Sequence, residues 1–104
     1  MSRRRVVVTG LGIISPVGIG VPEAWSSILA GKSGITRITR FDPSPLTSQI
    51  AGEVKGFEPA KYISAKEVRR FDTFIHYGLA AGIESIKDSG LDFDREQREQ
   101  VGVC

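Results

Sequence analysis

The sequence predicts an α/β protein, and three observations lead to that class. Residues 3–9 contain the continuous β-branched run Val6-Val7-Val8, which is typical of a strand covered on both faces. Two stretches with helical periodicity follow, one after Pro22 and a longer one after Ser64. The last residues, 101–104, resemble a strand that is just beginning. Apolar strands combined with amphipathic helices favour layered α/β packing.

The first third of the chain predicts a strand, a loop and a helix in that order. The strand covers residues 3–9, and a glycine-rich loop extends from Gly10 to Gly20. We expect the helix to begin near Pro22, because the missing N–H of proline is harmless in a first turn, and to end at Gly31. Its apolar stripe consists of Ala24, Trp25, Ile28 and Leu29.

Residues 32–62 predict mostly irregular structure, with short extended pieces at 34–39 and 50–54. Three prolines exclude a long helix in this region. A loop of this length is unusual in a compact domain, and it indicates an excursion on the surface of a larger structure. The prolines are Pro43, Pro45 and Pro59.

The second helix is predicted to begin at Ser64 with the capping-box pattern Ser64-x-x-Glu67 and to continue to Gly90. Gly78 and Gly82 lie inside it, and each costs roughly 1 kcal/mol relative to Ala. We therefore expect them to permit close packing against another element. A charged connector, residues 91–100, leads to the last strand.

Composition excludes several classes of function. A chain of 104 residues allows one small domain with a radius of gyration of about 13 Å. A net charge of +2 is too weak for a general nucleic-acid surface. One cysteine, Cys104, and one histidine, His76, exclude a disulfide framework and a Cys/His metal cage, and they argue against a Cys–His catalytic pair.

Three short motifs favour other functions only weakly. Arg3-Arg4-Arg5 before an uncharged stretch imitates an export signal, but glycines and Pro16 interrupt that stretch, so a cytoplasmic protein without a membrane span is expected. Thr9-Gly10-Leu11-Gly12 imitates a dinucleotide fingerprint, but the helix begins about ten residues too late, and a tight turn is favoured. Gly31-Lys32-Ser33 imitates a P-loop end and follows a helix instead of a strand.

The candidate binding residues are Lys66, Arg69 and Arg70, which are spaced so that they share one face of the second helix. From Lys61 to Arg70 the net charge is +3, although residues 41–104 together carry −3. A solvated helix face explains this pattern without any partner. The alternative is an electrostatic dock for an acidic protein or a phosphate.

Taken in order, these segments resemble the β-ketoacyl-acyl-carrier-protein synthases, most closely the type II synthases of bacterial fatty-acid synthesis. The likeness is collinear over essentially the whole chain. It rests on Arg4-Arg5-Val6-Val7-Val8-Thr9-Gly10-Leu11-Gly12, Ser15-Pro16-Val17-Gly18, Trp25, Leu29-Ala30-Gly31, Ser33-Gly34-Ile35, Phe41-Asp42, Ala51-Gly52, Lys66-Glu67, Arg69-Arg70, Asp72, Asp88-Ser89-Gly90-Leu91 and Val101-Gly102.

The resemblance implies a thiolase-like layered αβαβα fold, of which residues 1–104 would be an incomplete N-terminal portion with no complete domain. It implies a dimeric acyltransferase that performs a decarboxylating Claisen condensation between an acyl-enzyme and malonyl-acyl-carrier protein, without a cofactor or a metal. The family's catalytic Cys, its two His and its Lys would all lie beyond residue 104. Neither Cys104 nor His76 is therefore assigned a catalytic role, and the isolated chain is expected to be inactive.

The resemblance also implies a partner for the basic residues. In relatives, the cluster that matches Lys66, Arg69 and Arg70 helps to receive the acidic helix of acyl carrier protein, in its acyl- and malonyl-loaded forms. Two alternatives stay open. One is a polyketide-type ketosynthase, and the other is a catalytically inactive fragment that binds carrier protein or contributes to a dimer surface.

Overall fold

The computed structural model describes residues 2–104, which form two small β-hairpins, three α-helices and two single turns of 3-10 helix. Both hairpins are two-stranded antiparallel sheets. In chain order the elements are β1 (Ile14–Ser15), β2 (Gly18–Ile19), α1 (Val21–Leu29), β3 (Ile35–Arg37), β4 (Ile50–Gly52), a 3-10 turn (Pro59–Lys61), α2 (Ala65–Arg70), α3 (Thr73–Ser89) and a second 3-10 turn (Arg98–Gln100).

The strands predicted at the two ends of the chain are absent from the part that the structure describes. Residues 3–9 and 101–104 have no regular secondary structure, and Val6 and Val103 are almost fully exposed. A strand is held by hydrogen bonds to a neighbouring strand. Within residues 2–104 no strand lies beside either segment, so the prediction of a buried strand is wrong for this chain.

The N-terminal segment is fixed where it reaches α3. A Cβ atom added to Gly12 would lie 2.0 Å from the carbonyl oxygen of Ala81, and one added to Gly10 would lie 2.2 Å from that of Ser85. The backbone N–H of Leu11 donates to Asp88 Oδ2 at 2.9 Å. The two glycines therefore allow the segment to lie directly on the helix backbone, which any side chain would prevent.

The predicted loop from Gly10 to Gly20 contains the first hairpin. Ile14 pairs with Ile19, and the Gly20 N–H donates to the Ile13 carbonyl oxygen at 2.8 Å. The two extended pieces predicted between residues 34 and 54 are confirmed, since β3 and β4 pair with each other. The first hairpin touches the second through the ring of Pro16. This ring lies against Gly34 and Gly52.

Helix α1 begins and ends as predicted, with Pro22 in its first turn and Gly31 just beyond its end at φ 66°. Its apolar stripe is mostly exposed, however. Ala24 is buried, whereas 57% of Trp25 and 70% of Leu29 is accessible to solvent. The stripe therefore lacks most of its packing partners within residues 2–104.

The single long helix predicted after Ser64 is in fact two helices. The capping box of Ser64 and Glu67 is confirmed, but α2 ends at Arg70 because Phe71 is extended, and Asp72 then caps α3. Gly90, at φ 70°, ends α3 as predicted.

Gly78 and Gly82 do not have the predicted role within the part of the chain that is described. Apart from the backbone of their own helix, no atom of residues 2–104 lies within 4 Å of a Cβ added to either of them. The glycines that do permit close packing on α3 are Gly10 and Gly12, which approach the helix from the N-terminal segment.

The described residues form an open structure with a very small core. The radius of gyration is 17.5 Å, so the expected value of about 13 Å is wrong. Among residues 2–104, the only buried residues with an apolar side chain are Ala24, Pro43 and Ala80. None of the helices within this range is both long enough and apolar enough to span a lipid bilayer.

Candidate functional site

Helix α2, which carries the predicted binding residues, is short and has a well-defined N-terminal cap. The Ser64 hydroxyl accepts from the Glu67 N–H at 3.4 Å and donates to Glu67 Oε2 at 2.9 Å, while the Ser64 N–H donates to the same carboxylate at 3.3 Å. These reciprocal bonds satisfy amide groups that a six-residue helix would otherwise leave without partners. Arg69 and Arg70 lie in its last turn, where the helix dipole favours positive charge.

The three predicted binding residues, Lys66, Arg69 and Arg70, form one basic cluster on α2. All three are exposed, and their spacing places them on neighbouring positions of the helix surface. Within residues 2–104 none of them forms an ion pair, whereas Lys61 pairs with Glu58 at 3.4 Å. The Arg70 guanidinium lies 5.9 Å from the centroid of the Phe71 ring, within the range of a cation–π contact. The cluster therefore presents positive charge that forms no ion pair with a carboxylate of residues 2–104.

An apolar crevice of about 500 Å³ lies beside the basic cluster, and Arg69 belongs to both. One side comes from the segment that leads into the first 3-10 turn, and the other comes from α2. The lining residues are Phe57, Glu58, Pro59, Ala60, Ala65, Val68 and Arg69.

The crevice is supported by an aromatic group that connects it to α3. The Phe57 ring stacks on Tyr62 with 5.7 Å between centroids and meets the ring of Tyr77 edge-on at 5.1 Å. The Tyr62 hydroxyl donates to Glu84 Oε1 at 2.9 Å. This hydrogen bond to a carboxylate, assisted by partial burial, raises the pKa of Tyr62.

A second cavity, of about 240 Å³, lies between the second hairpin and α3 and has a structural role. Arg40 at its edge donates to the Tyr77 hydroxyl at 2.8 Å. Glu53 accepts from the backbone N–H and the hydroxyl of Thr39 at 2.7 and 2.8 Å. The backbone bond first, and then the hydroxyl bond, lower the pKa of Glu53. These contacts hold the loop that precedes β4.

His76 and Cys104 lie in unrelated surroundings. His76 is only 7% exposed on α3, and its Nε2 atom has no hydrogen-bond partner among the described residues. Cys104 is an exposed free thiol in the irregular C-terminal segment. No hydrogen bond within residues 2–104 links a nucleophile to the imidazole. The described residues also contain no group of three His, Cys, Asp or Glu side chains that could hold a metal ion.

Residues 3–104 match the β-ketoacyl synthase N-terminal domain family, and the chain therefore belongs to that family. Among its relatives is a 3-oxoacyl-[acyl-carrier-protein] synthase 2 of Vibrio cholerae serotype O1, which is 50% identical over 104 residues. That alignment covers 100% of this chain and 25% of the relative. The Staphylococcus aureus strain COL protein of the same name is 41% identical over 100 residues, which is 96% of this chain and 24% of that protein.

The solved structure of the ishigamide ketosynthase/chain length factor is also similar. It has a TM-score of 0.79 and 40% identity, over 89% of this chain and 23% of that chain. The resemblance and the thiolase-like fold class are thus confirmed, the latter for its N-terminal part. The chain spans about a quarter of the length of the relatives that it matches.

The sequence identified the basic cluster but not the crevice beside it. The only local signal was the presence of two small or aliphatic residues on a short charged helix, the exposed Ala65 and the half-buried Val68. The opposite wall comes from a loop that contains Pro59, and the path of a loop backbone does not follow from hydrophobic periodicity.

Proposed function

We propose that this chain is the N-terminal portion of a type II β-ketoacyl-acyl-carrier-protein synthase, an acyltransferase of fatty-acid synthesis. The full-length protein would transfer an acyl group to a cysteine, with loss of the carrier thiol. Loss of CO₂ from malonyl-acyl-carrier protein would leave a carbanion, which attacks the acyl thioester and expels the cysteine thiolate to give 3-oxoacyl-acyl-carrier protein. Support comes from the names of the relatives, whose alignments cover 100% and 96% of this chain.

The part of this function that we assign to the chain is docking of acyl carrier protein on the basic cluster. The observation that carries the proposal is that Lys66, Arg69 and Arg70 are exposed, unpaired within residues 2–104, and held on a helix with a fixed beginning. Exposed charges of this kind guide an oppositely charged partner and set its orientation. An acidic protein helix is the partner that fits them.

We propose no catalytic residue in this chain. His76 is buried without a hydrogen-bonded nucleophile, and Cys104 is an exposed thiol in an irregular segment, so neither has the activated surroundings that condensation needs. The purified chain of 104 residues should form no 3-oxoacyl product from acyl- and malonyl-loaded carrier protein. A measurable rate of product formation would overturn this assignment.

The docking proposal is tested by charge reversal in the full-length protein. Lys66→Glu combined with Arg69→Glu should weaken binding of carrier protein about tenfold at low ionic strength, and by much less at high salt, because exposed charges are screened. Titration calorimetry at two salt concentrations measures this effect. Lys87→Glu on α3 is the control, since it reverses one positive charge outside the cluster. Unchanged affinity at low salt would refute the dock.

A polyketide-type ketosynthase is the second candidate, and the likeness to the ishigamide ketosynthase/chain length factor favours it. The two candidates differ in how often the product is extended before it is reduced. Mass spectrometry of carrier-bound products from the full-length protein distinguishes them. One round of extension supports the fatty-acid assignment, and several unreduced rounds support the alternative.

A further inference from the structure

We infer that the crevice beside the basic cluster receives an apolar side chain from the same acidic segment that the cluster attracts. This inference rests on the proposed docking function and adds a second, uncharged contact to it. The partner would be an amphipathic acidic helix that carries an aliphatic side chain close to its carboxylates.

The lining of the crevice favours an apolar occupant. Five of the seven lining residues contribute mainly carbon: Phe57, Pro59, Ala60, Ala65 and Val68. The volume of about 500 Å³ is ample for one aliphatic side chain. Transfer of such a side chain from water to an apolar surface is favourable, so the crevice would add affinity that the exposed charges do not provide.

The charges around the crevice determine which charge the partner must carry next to its apolar side chain. Arg69 lies at its edge, with Lys66 and Arg70 on the same short helix. Glu58 is the one acidic residue in the lining, and its carboxylate is paired with Lys61. An approaching carboxylate therefore meets unpaired positive charge and a neutralised negative one, and this arrangement selects an acidic partner over a basic one.

The walls are held before any partner arrives. Phe57 is fixed between Tyr62 and Tyr77, and the N–H groups of Tyr62 and Ile63 both donate to the Pro59 carbonyl oxygen at 3.0 Å. The opposite wall begins at the capping box of α2. A site formed in advance loses less conformational entropy on binding, which favours the use of the crevice as a binding site, or socket, for an apolar side chain.

Two substitutions in the full-length protein test the socket without changing its charge. Val68→Thr keeps the shape of the side chain and places a hydroxyl in the crevice, while Ala65→Leu fills part of the space. Each should weaken binding of purified carrier protein about three- to tenfold, mainly through faster dissociation. The factor should be the same at low and at high salt, because removal of an apolar contact is not screened.

Ala30→Leu is the matched control, since Ala30 is an exposed alanine that follows α1 and lies outside the crevice. Surface plasmon resonance measures both rate constants, and circular dichroism verifies that each variant is folded. Unchanged dissociation in both crevice variants, while the charge reversal still weakens binding, would overturn the socket and leave the dock intact. If the charge reversal also has no effect, the dock itself fails. A crevice variant that alters only self-association, measured by sedimentation, would assign the crevice to a second copy and overturn the inference.

Discussion

Gly12 shows how one residue determines a contact between distant parts of the chain. A Cβ at this position would lie 2.0 Å from the Ala81 carbonyl oxygen and 2.8 Å from the Ser85 nitrogen, and both are backbone atoms that cannot rotate away. We expect Gly12→Ala to lower the stability of the full-length protein by about 3 kcal/mol. Urea unfolding measures the change. Gly78→Ala is the control, because apart from the backbone of its own helix no atom of residues 2–104 lies within 4 Å of the added Cβ. Equal midpoints for the two variants would contradict this account.

Glu53 gives the loop before β4 a dependence on pH. Its folded-state pKa is lowered by the two hydrogen bonds from Thr39, so its contribution to stability is complete above the ordinary carboxyl pKa of about 4.3. That contribution is lost as the pH falls through the folded pKa. We expect Glu53→Gln to be less stable at pH 7 and to lose less stability on acidification than the unchanged protein. Urea midpoints between neutral and acidic pH test this, and parallel curves would refute it.

At the scale of elements, the capping box of α2 is the feature on which the basic cluster depends. Ser64→Ala removes the side-chain acceptor for the Glu67 N–H and should cost about 1 kcal/mol of local stability. The amides of residues 65–71 should then exchange with deuterium about fivefold faster. Hydrogen-exchange mass spectrometry of the full-length protein measures this. Ser48→Ala, an exposed serine in the loop before β4, is the control, and equal exchange in both variants would disprove the role of the cap.

Elements whose determinants are local could be predicted from the sequence. The capping box at Ser64, the end of α3 at Gly90 and the limits of α1 each depend on residues within one turn. The break between α2 and α3 was missed because the apolar spacing continues through Phe71, and because Asp72 is as compatible with an exposed helical position as with a cap.

Elements that need distant partners could not be predicted in the same way. The Val6 to Val8 run has strand character, but a strand forms only beside another strand, and none of the four strands within residues 2–104 pairs with this run. The candidate site divides similarly. Its charged half follows from helical spacing on α2, whereas the crevice depends on how the loop around Phe57 packs against Tyr77.

At the scale of the whole molecule, the accessible surface is far larger than that of a compact protein. It measures 8681 Å², against about 5,700 Å² expected for a monomer of this mass. Part of this surface is exposed apolar area, which is contributed by Trp25, Leu29 and the Val6 to Val8 run. A core this small cannot offset the conformational entropy that is lost when the chain of residues 2–104 is ordered.

We therefore expect the isolated chain to unfold without a sharp transition and to bind a hydrophobic dye such as ANS under native conditions. Differential scanning calorimetry and dye fluorescence measure these properties. The full-length protein is the control and should show a cooperative transition with little dye binding. A single sharp endotherm for the isolated chain would show that it folds independently.

The contact of Gly10 and Gly12 with the backbone of α3 also has a consequence for when this part of the structure can form during synthesis. Their partners, Ala81 and Ser85, leave the ribosome about 70 residues later, which at roughly 5–20 residues per second is a delay of several seconds. The contact of Gly10 and Gly12 with α3 can therefore form only after that helix has been synthesised, although both glycines precede it in the chain.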